Sequence, residues 1–169
     1  MNVILCGMMG AGKTTVGAAL AKRTGRSLYD TDAVIVEKYG RISDIFSQHG
    51  EEHFRNLETQ TVCALSNKDE VILSVGGGLV LRSKNVEMLK GKGKIFYLRA
   101  SMESLAKRLY ADKDRPLLQT GGESLEERLS RLLETRAPVY ESVADFVVET
   151  DGKTPESIAE EIEQFIEKI

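Results

Sequence analysis

The chain has 169 residues, of which 41% are hydrophobic and 29% are charged, and its formal net charge is −3. These values are ordinary for a globular protein of one domain. No long basic run is present, so a nucleic-acid partner is not expected. No apolar run approaches the length of a membrane span, and the first predicted strand leaves no room for a targeting peptide, so we expect a cytoplasmic protein.

The two cysteines, Cys6 and Cys63, both lie in apolar stretches of the chain. We therefore expect both to be small buried side chains rather than metal ligands or partners in a disulfide.

Strand patterns alternate with helix patterns along the whole chain. The predicted strands cover residues 2–6, 27–30, 71–75, 94–98 and 146–148. The predicted helices start at residue 14 and then cover 32–39, 43–48, 51–66, 83–89, 102–109, 125–140 and 155–169. This alternation predicts an α/β fold with three layers, α-β-α, around a five-stranded parallel sheet. In such sheets the ligand lies beyond the carboxyl ends of the strands.

Three polar residues mark the starts of later helices. Ser101 precedes one helix, Ser124 forms a capping box with Glu127 before the next, and Thr154 precedes a favoured first-turn Pro155.

The first strand leads into G-M-M-G-A-G-K-T at residues 7–14, and a helix pattern follows. This is the order that a phosphate-binding loop requires, because the loop must feed a helix N-terminus whose N–H groups face the phosphates. A glycine turn with a chance lysine would not need both flanks. Lys13 is expected to reach the β- and γ-phosphates, and the Thr14 hydroxyl to hold Mg²⁺.

The second strand ends in Asp30-Thr31-Asp32. Two carboxylates beside a phosphate loop suit metal coordination or orientation and deprotonation of an acceptor hydroxyl. The alternative is that Asp32 only caps the following helix.

Arg55 and Glu58 share one face of the helix at 51–66, where Phe54 and Leu57 indicate contact with the core. An isolated surface salt bridge is the alternative interpretation.

The glycines at 76–78 follow a buried strand and would allow close approach of a ligand to backbone N–H groups, although a plain turn would also use them.

A polar segment follows at residues 111–123 and contains Arg115. A loop of this length suggests a lid whose arginine closes over the phosphates, with a solvated loop as the alternative. Pro138 is expected to kink or end the preceding helix, which would aim Arg136 at a carboxylate or leave it as a capping residue.

Together, these motifs resemble the shikimate kinase family over essentially the whole chain. The resemblance depends on residues 7–14, D-T-D at 30–32, F-R-x-x-E at 54–58, G-G-G at 76–78, R-P-L-L at 115–118 and R-x-P-x-Y at 136–140. It implies a P-loop fold like that of nucleoside monophosphate kinases, with a lid loop. It also implies ATP with Mg²⁺, and phosphorylation of the shikimate 3-hydroxyl in aromatic amino acid biosynthesis.

The same resemblance implies roles for individual residues. Shikimate is expected to contact Asp32, Arg55, Gly77, Gly78 and Arg136, with support from Glu58. ATP is expected to contact Gly10, Ala11, Gly12, Lys13, Thr14, Thr15, Arg108, Arg115 and Lys153. Thr14 and Asp30 are expected to hold Mg²⁺, the latter through water, and the catalytic residues are expected to be Lys13, Asp32 and Arg115.

We expect a single kinase domain over residues 1–169 that acts as a monomer, with a substrate-binding segment at about 32–66 and a lid at about 111–123. The residues alone indicate only a kinase of a small acidic polyol, which leaves a gluconate or nucleotide kinase open. A nucleotide-operated switch is the alternative from another class. It would need a guanine-recognition motif or switch-like loops, and the sequence contains neither.

Overall fold

The computed structural model describes residues 1–111 and 122–169 as an alternation of strands and helices. The strands are β1 (Asn2–Cys6), β2 (Leu28–Asp30), β3 (Ile72–Ser74), β4 (Gly93–Arg99) and β5 (Phe146–Glu149). The helices are α1 (Lys13–Thr24), α2 (Thr31–Tyr39), α3 (Ile42–His49), α4 (Glu51–Ser66), α5 (Ser83–Lys90), α6 (Met102–Ala111), α7 (Leu125–Val143) and α8 (Pro155–Ile166). A short 3₁₀ helix, Leu79–Leu81, precedes α5.

The strands form one parallel sheet in the order β2-β3-β1-β4-β5. All five residues of the central strand β1 are buried. Because successive side chains of a strand point to opposite faces, both faces of the sheet are covered at β1. The predicted α/β fold with a five-stranded parallel sheet is confirmed.

The register of the strands brings their carboxyl ends level with one another. Asp30 lies opposite Ser74, Ser74 lies opposite Leu5, and Cys6 lies opposite Tyr97. The segments that follow β1, β2 and β3 therefore leave the sheet at one edge, which is where parallel sheets bind ligands.

A second, smaller hydrophobic cluster packs α2, α3 and α4 against one another. Its buried members are Ile35, Ile45, Phe54 and Leu57, separate from the main core around the sheet. This cluster gives the helical segment its own packing, so the polar residues that α2 and α4 carry are held by a fixed scaffold.

Helix α7 continues through Pro138 to Val143, so of the two effects expected of this proline, a kink or an end of the helix, the end does not occur. Proline removes one helical hydrogen bond, but the turns on either side remain available. Beyond it, Tyr140 is fully buried, and its carbonyl accepts from Ala144 N–H at 3.0 Å. Packing of Tyr140 thus stabilises the last turn despite the missing donor.

The predicted helix starts at Ser101, Ser124 and Thr154 are confirmed, including the capping box of Ser124 with Glu127.

Cys6 is buried as predicted, but Cys63 is exposed, because the buried positions of α4 lie on its other face. No helix within the described ranges combines the length and the apolar character needed to cross a membrane.

Candidate active site

The loop between β1 and α1 has the backbone geometry of an anion-binding loop. Gly10 and Gly12 adopt left-handed conformations, with φ of 82° and 89°, which other residues rarely adopt. Gly12 is the N-cap of α1, no side chain caps this helix, and its first turn carries no acidic residue. The positive end of the helix dipole therefore meets no competing carboxylate in that turn and is suited to a phosphate.

Two cations reach this loop from different helices. The Lys13 ammonium, from the start of α1, donates to the carbonyls of Gly7 and Met8 at 2.8 and 2.9 Å. Arg108, from α6, donates to the Gly10 carbonyl at 3.0 Å. Both lie at a cavity of about 350 Å³. This cavity is lined by Met9, Gly10, Gly12, Lys13, Thr14, Thr15, Asp30, Asp32, Ser74, Val75, Gly76, Gly77, Arg108 and Leu109.

Three side-chain oxygens meet on one side of this cavity. The Thr14 hydroxyl donates to Asp30 Oδ2 at 2.5 Å, and the Ser74 hydroxyl donates to the same oxygen at 3.1 Å. Thr14 and Ser74 are 3.2 Å apart. Carboxylate and hydroxyl oxygens are ligands that Mg²⁺ prefers, so this group of side chains fits the expected metal.

Ser74 was not predicted as a site residue. It ends β3 in register with Asp30, and the sequence signal was a polar residue at the end of the apolar run Val71, Ile72 and Leu73. That position predicts a side chain at the ligand-binding edge of the sheet.

The other oxygen of Asp30 caps helix α2. Asp30 Oδ1 accepts from the N–H groups of Asp32 and Ala33 at 3.0 and 3.1 Å. The alternative in which Asp32 caps this helix is therefore wrong. Because Asp30 supplies the cap, the Asp32 side chain is not needed for it. The Asp32 side chain lines the cavity of about 350 Å³ beside the loop, here called the phosphate-side cavity, and also a second, larger cavity.

The triple glycine gives space to three charged side chains. A Cβ on Gly76 would lie 2.8 Å from Asp32 Oδ1, one on Gly77 would lie 3.3 Å from Arg136 Nη1, and one on Gly78 would lie 2.5 Å from Arg55 Nη1. None of these glycines has a positive φ. A Cβ would therefore displace the Asp32 carboxylate at Gly76 or the Arg55 guanidinium at Gly78, whereas at Gly77 a small shift of Arg136 would be enough. Close approach of charged side chains, rather than an unusual backbone conformation, favours glycine in this turn.

Arg55 and Glu58 form a largely buried ion pair rather than the alternative surface salt bridge. Arg55 Nη1 lies 2.8 Å from Glu58 Oε2, and the two side chains are 16% and 1% exposed. Burial raises the pKa of Glu58 above its usual value, although Arg55 opposes the shift. Burial alone would lower the pKa of Arg55, but hydrogen bonds and charges from Glu58 and Glu51 raise it overall. Arg55 and Glu58 thus each stabilise the charged form of the other against the cost of burial.

The larger cavity has a volume of about 880 Å³ and adjoins the first. Its lining includes Asp32, Arg55, Glu58, the three glycines and Arg136, together with residues of α2, α3 and α7. Met9, Asp32, Gly76 and Gly77 line both cavities. A phosphate-binding loop thus meets, at the Asp32 carboxylate, a pocket lined by five arginines: Arg41, Arg55, Arg128, Arg131 and Arg136. This arrangement is suited to phosphorylating a small acid.

Among the described residues, the predicted ATP contacts Ala11 and Lys153 line neither cavity, and Ala11 is buried. Lys153 is paired with Glu161 at 2.5 Å and lines neither cavity. Arg115 and most of the predicted lid, residues 112–121, lie outside the described residues.

A family model described as shikimate kinase matches residues 9–167. The chain belongs to the shikimate kinase family. A shikimate kinase from Thermodesulfovibrio yellowstonii is 44% identical over 99% of this chain and 96% of its own length. A shikimate kinase from Burkholderia lata is 47% identical over 88% of this chain and 80% of its own length.

Solved structures of shikimate kinases share this fold. The enzyme from Acinetobacter baumannii in complex with shikimate aligns with a TM-score of 0.92 and 40% identity over 99% of this chain and 93% of its own. A deoxyadenosine kinase from M. mycoides, at 17% identity and a TM-score of 0.66, supports the fold alone. Membership of the shikimate kinase family confirms the predicted ATP-dependent kinase activity toward shikimate.

Proposed function

We propose that this protein transfers the γ-phosphoryl group of ATP to the 3-hydroxyl of shikimate, giving 3-phosphoshikimate and ADP for aromatic amino acid biosynthesis. The observation that carries this proposal is the shared wall of the two cavities, where Asp32 lies between the phosphate loop and the side of the larger cavity that Arg55 and Arg136 line. A phosphoryl donor in one cavity and an acid acceptor in the other would meet at the Asp32 carboxylate.

On the donor side, the loop residues Gly10, Ala11, Gly12, Lys13, Thr14 and Thr15 would hold the phosphates of ATP. Lys13 supplies a positive charge at the transferring group, and the first turn of α1 supplies backbone donors. Arg108 already lies against the loop and is suited to the nucleotide. A contact from Lys153 to the adenine would require its ion pair with Glu161 to open.

Thr14 and Asp30 would hold Mg²⁺, with Asp30 acting through water and Ser74 beside them. Thr14 Oγ1 and Asp30 Oδ2 are 2.5 Å apart, which places hydroxyl and carboxylate oxygen at one point beside the loop. When bound, Mg²⁺ neutralises part of the phosphate charge.

On the acceptor side, shikimate offers one carboxylate and three hydroxyls. Arg55 and Arg136 supply two planar guanidinium groups, each able to form a forked contact with a carboxylate. Glu58 Oε2 accepts a hydrogen bond from Arg55 Nη1 at 2.8 Å, which fixes the guanidinium in place. Gly77 and Gly78 line the same cavity and supply backbone donors. This set matches an acidic polyol better than a nucleobase.

Asp32 would orient the 3-hydroxyl and accept its proton. As the hydroxyl oxygen bonds to the γ-phosphorus, its proton passes to the Asp32 carboxylate and the bond from phosphorus to the ADP oxygen breaks. Because the transition state of phosphoryl transfer is loose, positioning and charge stabilisation contribute more than the base does.

We also propose that the whole chain is one catalytic domain, with residues 32–66 as its substrate-binding segment. The separate hydrophobic cluster of α2, α3 and α4 supports that division. We propose further that the protein acts as a monomer, and use of ATP supports a cytoplasmic location. Light scattering of the purified protein measures the oligomeric state.

Residues 111–123 are proposed as a lid that brings Arg115 to the phosphates. ATP with shikimate is then expected to protect the amides of this segment from hydrogen exchange relative to the apo protein, because closure orders them. Arg115→Ala is expected to lower kcat more than it raises the KM for shikimate. Equal exchange in both states would contradict the lid.

A coupled assay of ADP release tests the proposed reaction. We expect rapid release with ATP, Mg²⁺ and shikimate together, and only slow release when shikimate is omitted or EDTA removes the metal. Gluconate and nucleoside monophosphates serve as alternative acceptors in the same assay. Faster turnover of one of these than of shikimate would contradict the proposal, and fast release without any acceptor would indicate a hydrolase.

A further inference from the structure

Two buried hydroxyl groups hold the triple-glycine turn from opposite sides. Thr31 is fully buried, and its Oγ1 accepts the N–H of Gly76 at 3.0 Å. Tyr140, also fully buried, donates its hydroxyl to the carbonyl of Gly77 at 2.5 Å. One hydroxyl comes from the start of α2 and the other from the end of α7, so the turn is fixed between two separate elements.

The remaining carbonyls of this turn are also used within the protein. The Gly76 carbonyl accepts from Leu79 N–H at 3.0 Å, and the Gly78 carbonyl accepts from Leu81 N–H at 3.2 Å. Within residues 1–111 and 122–169, the N–H groups of Gly77 and Gly78 have no such partner. A backbone N–H group without an acceptor is unfavourable once water is excluded. The N–H groups of Gly77 and Gly78 are therefore the donors that this turn makes available to a ligand in the larger cavity.

Tyr140 also connects this turn to Arg136, which lies one helical turn earlier on α7. The Arg136 guanidinium interacts with the Tyr140 hydroxyl, and a Cβ on Gly77 would lie 3.3 Å from Arg136 Nη1 and 3.5 Å from that hydroxyl. Burial raises the pKa of Tyr140 well above its usual value, so the hydroxyl keeps its proton and remains a donor. A single O–H group therefore constrains both the glycine backbone and the arginine.

We propose that Thr31 and Tyr140 are positioning residues that fix the Gly77 and Gly78 donors and the Arg136 guanidinium in the geometry that binds the acceptor acid. This proposal rests on the proposed shikimate site. Without the two hydroxyls the turn would retain only its backbone contacts, and its two N–H donors would be held less firmly. The expected consequence is a loss of acceptor affinity that exceeds any loss of nucleotide affinity, because Gly78 and Arg136 line only the larger cavity.

The test uses two pairs of variants and separate titrations of shikimate and ATP. Tyr140→Phe removes only the hydroxyl and is expected to raise the KM for shikimate about three- to tenfold, the effect of one or two hydrogen bonds, with the KM for ATP within about twofold of wild type. Tyr97→Phe is the matched control, because the Tyr97 ring is also buried and packs on Tyr140 with centroids 5.0 Å apart. We expect its constants to match wild type.

Thr31→Val and Thr31→Ser form the second pair. Valine keeps the shape and removes the acceptor of the Gly76 N–H, whereas serine retains a hydroxyl, so only Thr31→Val is expected to raise the KM for shikimate. Thermal unfolding of all four variants shows whether each is folded at the assay temperature. If Tyr140→Phe does not fold, the comparison of Thr31→Val with Thr31→Ser tests the proposal.

Two outcomes would overturn the proposal. One is equal shikimate KM for Tyr140→Phe and Tyr97→Phe, or for Thr31→Val and Thr31→Ser. The other is a parallel rise in the KM for ATP. A wild-type protein that does not use shikimate would instead contradict the proposed function, so the two failures are distinguishable.

Discussion

Lys13→Met is expected to lower kcat by about a hundredfold or more at saturating ATP and shikimate. A preorganised donor aimed at developing charge is typically worth that much in turnover. The ammonium lies within 2.8 and 2.9 Å of two loop carbonyls, so it is held at the loop before any phosphate binds. Methionine has a similar length and no charge, so the substitution removes the electrostatic contribution with little change in volume. Steady-state ADP release measures the effect.

Lys22→Met provides the matched control, because Lys22 lies in the last turn of the same helix and is exposed. Its kcat is expected to remain near that of wild type. Circular dichroism and thermal unfolding of both variants separate loss of chemistry from loss of fold. Near-normal turnover by a folded Lys13→Met protein would remove Lys13 from the catalytic role.

The fold was predictable because the hydrophobic pattern of each element agrees with its place in the sheet. The run Val3, Ile4, Leu5 and Cys6 is apolar throughout, as expected of a parallel strand covered on both faces, and all four residues are buried. The predicted helix at 51–66 has the observed bounds of α4. The order of the strands, with β1 between β3 and β4, depends on pairing between distant segments and was not predicted.

The positions of the candidate site residues followed from motifs, but their pairwise contacts did not. The sequence placed Asp30 and Asp32 at a strand end, but it offered only Asp32 as a possible cap of α2. The structure instead has Asp30 Oδ1 accept from the N–H groups of Asp32 and Ala33, a contact that the sequence pattern does not reveal. Ser74 became evident only through its register with Asp30.

Local sequence preferences differ from the structure where tertiary packing opposes them. Pro138 disfavours helix at its position, but burial of Tyr140 two residues later keeps α7 continuous. This continuity is what places Arg136 and Tyr140 one turn apart on the same helix. The apolar surroundings of Cys63 suggested burial, yet the face of α4 that meets the core is set by Phe54, Leu57 and Thr61.

Arg136→Ala is expected to raise the KM for shikimate by roughly ten- to a hundredfold. A charge-assisted, forked contact with a carboxylate contributes about 1.5–3 kcal/mol, which corresponds to that range. Arg136 lines the larger cavity and not the phosphate-side cavity. The KM for ATP is therefore expected to stay close to that of wild type, and separate titrations of the two substrates measure both constants.

Two further variants determine whether the geometry of the guanidinium matters or only its charge. Arg136→Lys is expected to recover little, because an ammonium group cannot reproduce a planar fork. Arg23→Ala removes a surface arginine whose partner, Glu163, lies on α8, and its constants are expected to match wild type. Full recovery by lysine would show that the acid is held by charge alone. A rise in the KM for ATP without a rise for shikimate would place Arg136 in the nucleotide site, and the acceptor pocket would then need a different cation.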